Sequence, residues 1–290
     1  VYVLRGLRLE TASGLKRQML RATEWLASAC AQHVICNSRS LRVQAAALGV
    51  APARKLRLLG EGSSHGVDVE RFSPGPCSLK AKLGLPDHPT VVGFVGRMTI
   101  DKGVPELIEA FDDLLATNHD TRLLMVGWFD ESEDALSQDL REYIDAHPRI
   151  IRTGFVADTA PYYRAMDVMV LPTWREGFPN VVLEAAASCI PVITTLATGS
   201  RDAVLPEVTG LLVPPGYPEA ITEAVRKLLG DPARRKRMGI AAREWVIRRF
   251  VNQRVIGLSV AMYQGMLKEA VDKQPLPVSR AAAVDAPVEG

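Results

Sequence analysis

Two glutamates, Glu176 and Glu184, stand eight positions apart in the stretch W-R-E-G-F-P-N-V-V-L-E-A-A-A-S, residues 174–188, and Arg97 and Lys102 share the segment G-R-M-T-I-D-K-G, residues 96–103. An ionised carboxylate accepts two hydroxyl hydrogen bonds at once, which suits a sugar diol. A guanidinium forks onto paired oxygens while an ammonium acts as a point charge, and both suit phosphate. The chemistry these residues could do is therefore that of a phosphorylated sugar. Spacing alone carries little, because 17 glutamates in 290 residues produce roughly one such pair by chance. The surrounding elements decide.

Those elements are strand ends and helix starts. The apolar run 168–172 reads as a strand, and Pro179 is a favoured first residue of a helix. Glu176 is then expected in the loop and Glu184 about one turn inside the helix. Residues 96–103 follow an expected strand, 91–95, and open an expected helix, 104–115. The segment is neither G-x-G-x-x-G nor a Walker A loop, so Arg97 and Lys102 must supply charge through their side chains. In parallel α/β sheets ligands bind at the carboxyl ends of strands, where helix N-termini attract anions. Phe178 reads equally well as part of the turn and as core packing.

In this setting, two glutamates separated by seven residues with Gly177-Phe178-Pro179 between them resemble the signature of the retaining, nucleotide-sugar-dependent glycosyltransferases of family 4, the group 1 glycosyl transferases. The resemblance implies a GT-B fold: α/β, two Rossmann-like domains, here with an incomplete N-terminal one and a complete C-terminal donor domain. It implies that Arg97 and Lys102 neutralise the donor diphosphate in place of a metal, that Glu176 contacts the transferred sugar, and that Glu184 holds the ribose. Gly177, Phe178 and Pro179 would shape the turn so that the N–H groups of Phe178 and Asn180 aim at sugar or phosphate. The nucleobase would lie near the main chain of Val156, with Arg152 stacking on it; packing is an equal reading for both. Thr198, Gly199 and Ser200 would form another turn, with Asp202 a loose match to an acid of the family.

The implied reaction moves a hexose-type sugar from a UDP- or GDP-sugar to a hydroxyl of a lipid-linked or saccharide acceptor, with retention, in surface polysaccharide or glycolipid biosynthesis. Neither glutamate need be a covalent nucleophile, unlike the paired carboxylates of retaining glycosidases. No metal, no further cofactor and no nucleic-acid partner are expected. Two rivals are a nucleotide-sugar epimerase of the same fold and a non-catalytic nucleotide-sugar-binding fragment.

The rest of the chain fits an α/β protein. With 47% hydrophobic and 23% charged residues it can bury one large core or two ordinary ones. A βαβ rhythm over 1–75 is read as the remainder of an acceptor domain and hinge. By the same resemblance the segment G-V-D-V-E-R-F-S-P, residues 66–74, would close that domain and G-S-S-H-G could line the cleft between the domains; a plain linker with Phe72 plugging the core is an equal reading. Residues 76–250 are expected to form the donor domain with six strands, including 150–156, and a helix over 135–146. Residues 251–272 would be a helix returning to the first domain, and 273–290 a disordered tail. The chain enters mid-pattern at Val1, as an N-terminal fragment would.

Charge is uneven: residues 1–75 carry 11 Lys/Arg against 5 Asp/Glu, and residues 231–254 carry 8 against 2. Such regions could face anionic lipid or a phosphate-bearing acceptor, and a solvated helix face is the plainer reading of the second. A cytoplasmic site with peripheral contact at the inner membrane face is the expectation. The four cysteines lack C-x-x-C pairing, as in a reducing compartment. His33, His88, His119 and His147 are expected at the surface, and His65, inside G-S-S-H-G, is the one histidine placed to matter.

Overall fold

The computed structural model describes residues 1–85 and 90–272, with side chains as far as Glu269 in the last helix. His88 and the tail 273–290 lie outside the described residues. Two parallel sheets organise the rest. The first joins β1 (Tyr2–Leu4), β2 (Val34–Cys36) and β3 (Leu56–Leu58) in that order, with α1 (Gly14–Cys30) and α2 (Arg39–Ala47) as crossovers. Its core is Leu4, Leu7, Val34, Leu41 and Leu56.

The second sheet holds β4 (Thr90–Val95), β5 (Thr121–Val126), β6 (Ile150–Arg152), β7 (Val168–Leu171), β8 (Val192–Thr195) and β9 (Gly210–Val213) in the order β6-β5-β4-β7-β8-β9. All pairings are parallel. Strands such as β7, V-M-V-L, are buried throughout, as expected where helices cover both faces. Those covers are α4 (Val104–Leu115), α5 (Gln138–Ala146), α6 (Ala160–Tyr163), α7 (Asn180–Ala187), α8 (Pro218–Leu229) and α9 (Pro232–Arg249); the short α3 (Leu79–Lys82) precedes the sheet and α10 (Asn252–Asp272) follows it. The chain winds outward from β4 to β6, returns to β7 beside β4, and winds outward again. The order therefore reverses between β4 and β7, where open α/β sheets form their ligand crevice.

Three local expectations need correction. β6 stops at Arg152 instead of running to 156, because Gly154 takes a left-handed conformation, φ 71°, and Gly154 instead bridges back to Gly127. α5 starts at Gln138, where the Ser137 hydroxyl caps the Leu140 N–H at 3.3 Å; Ala135 instead bridges to Thr99. Pro179 is the N-cap of α7, so Asn180 is the first helical residue.

The linker is held firmly. Phe72 is buried against Tyr163, ring centroids 5.8 Å apart, and Arg243 of α9 donates to the carbonyls of Val69 at 3.2 Å and Phe72 at 3.1 Å. The Val67 N–H donates to Phe250 O at 2.8 Å, and a Cβ on Gly66 would lie 2.4 Å from that same oxygen. α10 brings Leu258 against Gly60 of the linker. His33 and His147 are half-buried, the latter edge-on to Phe111 at 5.9 Å, while His119 is exposed.

One glycine fixes the crevice itself. Gly103, at φ 71°, ends the turn after β4, and a Cβ there would lie 2.1 Å from the carbonyl oxygen of Pro172, just past β7. Gly103→Ala is expected to cost about 2–4 kcal/mol, through both the left-handed backbone and the clash. Urea unfolding checks this as a lower midpoint at unchanged slope.

Candidate active site

The loop after β4 and the loop after β7 are stapled together by a buried acid. Asp101, 5% exposed, accepts from the Thr99 hydroxyl at 2.6 Å and pairs with Arg175 at 3.0 Å. Its main-chain oxygen accepts from the Trp174 N–H at 2.9 Å and the Thr173 hydroxyl at 3.1 Å. Arg175 reaches on to Asp134 at 3.0 Å. A buried ion pair sets geometry more than it adds stability, and here Arg175 Nε is left buried without a hydrogen-bond partner among the described residues. The pair fixes the neighbouring residues 102 and 176 side by side.

Their contact is direct: Lys102 Nζ lies 2.5 Å from Glu176 Oε1, and both side chains are only 16% exposed. The Glu176 N–H donates to Thr198 O at 3.0 Å, and Gly199, at φ 77°, lets the chain pass where a Cβ would be 2.4 Å from Glu176 O. From the first sheet's side, Gly6 and the carbonyl of Arg5 press on the Gly177 backbone. Glu176 thus sits at the seam of the two sheets, on the crevice between β4 and β7.

Asn180 faces the same seam. Its Oδ1 accepts from Ser63 Oγ at 3.0 Å, and its amide nitrogen lies 2.7 Å from His65 Nε2. Partial burial, with the Arg5 charge adding to it, holds His65 below its ordinary value of 6.5. A neutral ring can accept from the Asn180 amide. The first-turn N–H groups of α7 have no intrahelical acceptors and carry the positive end of the dipole. Phe178 is buried, 5.3 Å from Phe250, and packs beneath Gly62. Its side chain takes the core role, so only its main chain is left to act in the crevice.

Glu184 lies one turn into α7 and accepts from the Tyr163 hydroxyl at 2.7 Å and from Thr159 at 3.5 Å. Burial pushes its carboxyl above the ordinary 4.5, outweighing the lowering by Tyr163, Thr159 and Arg71. A raised folded value means the native state holds the proton more tightly than the unfolded chain. Stability is therefore greatest below the ordinary value and falls as pH rises toward the folded one. Glu184→Gln removes that loss, so thermal melts should show the variant more stable than the parent at pH 8, by an increment that shrinks toward pH 4.

The remaining expected residues divide. Arg97 is near the crevice mouth but turns to Asp130 of the loop after β5, at 2.5 Å, with its side chain 44% exposed. Lys102 and Arg97 are therefore each neutralised by a carboxylate of their own, rather than presenting two free charges. Arg152 is bound through two nitrogens to Asp145 at 2.6 and 3.0 Å and lies 4.4 Å from the Phe129 ring; its side chain takes the packing role. Val156 is half-buried against the core. Asp202 accepts from both the N–H, at 2.7 Å, and the hydroxyl of Ser40, and so joins the two sheets. Thr198 does likewise, donating to Glu10 at 2.6 Å.

Sequence reasoning passed over Asp101, Arg175, Tyr163 and Ser40. Asp101 lies inside the glycine-bounded segment 96–103 already singled out. Nothing in the sequence pairs Tyr163 with a residue 21 positions away. Among the described residues no group of three His, Cys, Asp or Glu could hold a metal ion, and no helix is long and apolar enough to cross a membrane.

A doubly wound parallel sheet with a second parallel sheet beside it is the architecture of the GT-B class of sugar-transfer proteins. The model of the family Glycosyl transferases group 1 matches residues 89–231. The capsular polysaccharide biosynthesis glycosyltransferase CapM of Staphylococcus aureus is 36% identical over 274 residues, covering 94% of this chain and 72% of CapM. The GDP-mannose-dependent alpha-(1-6)-phosphatidylinositol monomannoside mannosyltransferase of Mycolicibacterium smegmatis is 34% identical over 195 residues, covering 63% of this chain and 50% of that protein. Sucrose-phosphate synthase from Thermosynechococcus elongatus superposes with a TM-score of 0.76 at 27% identity, covering 93% of this chain and 67% of that one. The chain belongs to the group 1 glycosyl transferases. It spans half of the mannosyltransferase and less than three quarters of CapM.

Proposed function

We propose that this chain transfers a hexose-type sugar from a UDP- or GDP-sugar to a hydroxyl of a saccharide or lipid-linked acceptor, with retention and without a metal, in surface polysaccharide or glycolipid assembly. The observation that carries the reading is the Lys102–Glu176 pair at the switch point beside the N-terminus of α7. The names of CapM and of the mannosyltransferase support the pathway class and the nucleotide-sugar donor.

In this reading the donor diphosphate lies across the α7 N-terminus and draws Lys102 from Glu176. The freed carboxylate accepts hydroxyls of the sugar, and Glu184 accepts from the ribose. Arg97, released from Asp130, adds charge at the outer phosphate edge. The C1–O bond to the diphosphate breaks with its electron pair leaving on the phosphate oxygen, and the acceptor oxygen bonds to C1 on the same face. The acceptor proton passes to that phosphate oxygen, giving a glycoside and a nucleoside diphosphate. Preorganised cations and N–H dipoles aimed at the departing charge contribute most. The protein would work at the cytoplasmic face of the inner membrane, with peripheral contact through its basic regions.

The test is release of nucleoside diphosphate from a panel of UDP- and GDP-sugars with hydroxyl acceptors, the product's anomeric configuration being read by NMR. One base should give release, with retained configuration. An epimerised sugar nucleotide without release, or binding without turnover, would contradict the proposal.

A further inference from the structure

Away from the crevice, a cavity of ≈ 440 Å³ opens where the two sheets' outer elements meet, and Arg39, Arg201 and Arg249 line it with Glu61, Trp245 and Leu205. The three arginines come from three elements: Arg39 opens α2, Arg201 lies in the 3-10 turn after β8, and Arg249 ends α9. Glu61 of the linker lies 3.7 Å from Arg39 and 3.8 Å from Arg249, both beyond hydrogen-bond distance. Arg201 forms no ion pair among the described residues. Asp202, the other acid on the wall, is taken up by Ser40. Arg39 and Arg249 therefore share one loosely held carboxylate, and Arg201 lines the same cavity with no ion pair among the described residues.

We propose that this cavity binds a phosphate or diphosphate group. Guanidinium forks match phosphate oxygens in pairs; the first N–H groups of α2 are already taken by Asp202 and Ser38, so the arginines supply the attraction. Trp245 and Leu205 form an apolar wall that runs on into a second groove, ≈ 240 Å³, with Val208 and Ala241, which Glu244 and Arg248 also line. That groove accommodates an apolar portion attached to the phosphate. Arg39 belongs to the first sheet's unit while Arg201 and Arg249 belong to the second's, so an anion held by all three also ties the units together. The site does not rest on the donor reading, since Arg97, Lys102, Glu176 and Glu184 do not line it.

Calorimetric titration with inorganic pyrophosphate tests it on the parent, on Lys102→Ala, on Glu61→Gln, and on the triple variant Arg39→Ala/Arg201→Ala/Arg249→Ala. All three arginines are exposed, so the triple variant should melt with the parent. It should lose about tenfold or more in affinity, each lost charged hydrogen bond counting, while Glu61→Gln should bind more tightly. An unchanged affinity in the triple variant, loss confined to Lys102→Ala, or no binding by the parent at about 10 mM overturns the proposal. Sedimentation with phosphatidic-acid vesicles, against neutral phosphatidylcholine, identifies the source. Arginine-dependent vesicle binding assigns a lipid headgroup, and pyrophosphate binding without it assigns a soluble phosphate.

Discussion

Lys102→Ala is expected to lower kcat/KM for sugar transfer by about 10²–10³-fold, the effect of removing one preorganised charge from a site where negative charge develops. The ammonium sits on a loop whose course is set by the buried Asp101 and by Gly103, so little reorganisation is needed when phosphate replaces Glu176 as its partner. Its loss acts twice. The leaving diphosphate loses its cation, and Glu176, 16% exposed, keeps an uncompensated charge next to an incoming anion. Glu176→Gln should soften that second penalty, so the double variant Lys102→Ala/Glu176→Gln should be less impaired than the product of the two single effects. Steady-state kinetics on a double-mutant cycle reads this coupling directly. Equal additivity would mean that the pair in the structure is not a working unit.

The second large effect is expected from one methyl group. A Cβ on Gly177 would lie 1.7 Å from the carbonyl oxygen of Arg5 and 2.4 Å from its carbon. Both are backbone atoms, so no flexible side chain can yield. The Gly177 peptide is also closed on its other side, where Gly199 passes its oxygen. Gly177→Ala must therefore push the first sheet away from the crevice by an ångström or more. Displacement on that scale costs about 10²-fold in activity when a reacting group is misplaced, and Glu176 is the adjacent residue. Gly265→Ala supplies the control: it lies in α10 with nothing within 4 Å, and should stabilise by about 0.5–1 kcal/mol while leaving turnover unchanged. Similar activity in the two variants would show that the close approach of the sheets is not needed.

The sheet was legible because its strands are short apolar runs bounded by loops, and β4, β7 and α4 fall within one residue of the expected bounds. Strand edges failed where glycine chemistry overrode hydrophobicity: 150–156 reads as one strand with Ile150, Ile151, Phe155 and Val156 apolar, yet Gly154 turns it after Arg152. The site was legible to the extent that it is local. Glu176, Asn180 and Glu184 sit on one turn and helix, and Lys102 reaches them because β4 and β7 are neighbours across the switch point. What could not be read were partners supplied across the fold. Tyr163 on Glu184, Asp130 on Arg97 and Ser40 on Asp202 are each fixed by tertiary packing, which leaves no periodic or motif signal. The same limit explains why Arg97 and Lys102 read as two free cations: the carboxylates that neutralise them come from other loops.

The central claim is that the crevice between β4 and β7 holds a nucleoside diphosphate, and a crystal structure of the chain with UDP or GDP tests it most directly. The account predicts the diphosphate over the N-terminus of α7, an oxygen within hydrogen-bond distance of Lys102 Nζ, the Lys102–Glu176 contact opened, and the ribose at Glu184. A nucleotide bound elsewhere, with the Lys102–Glu176 pair still closed, would contradict it.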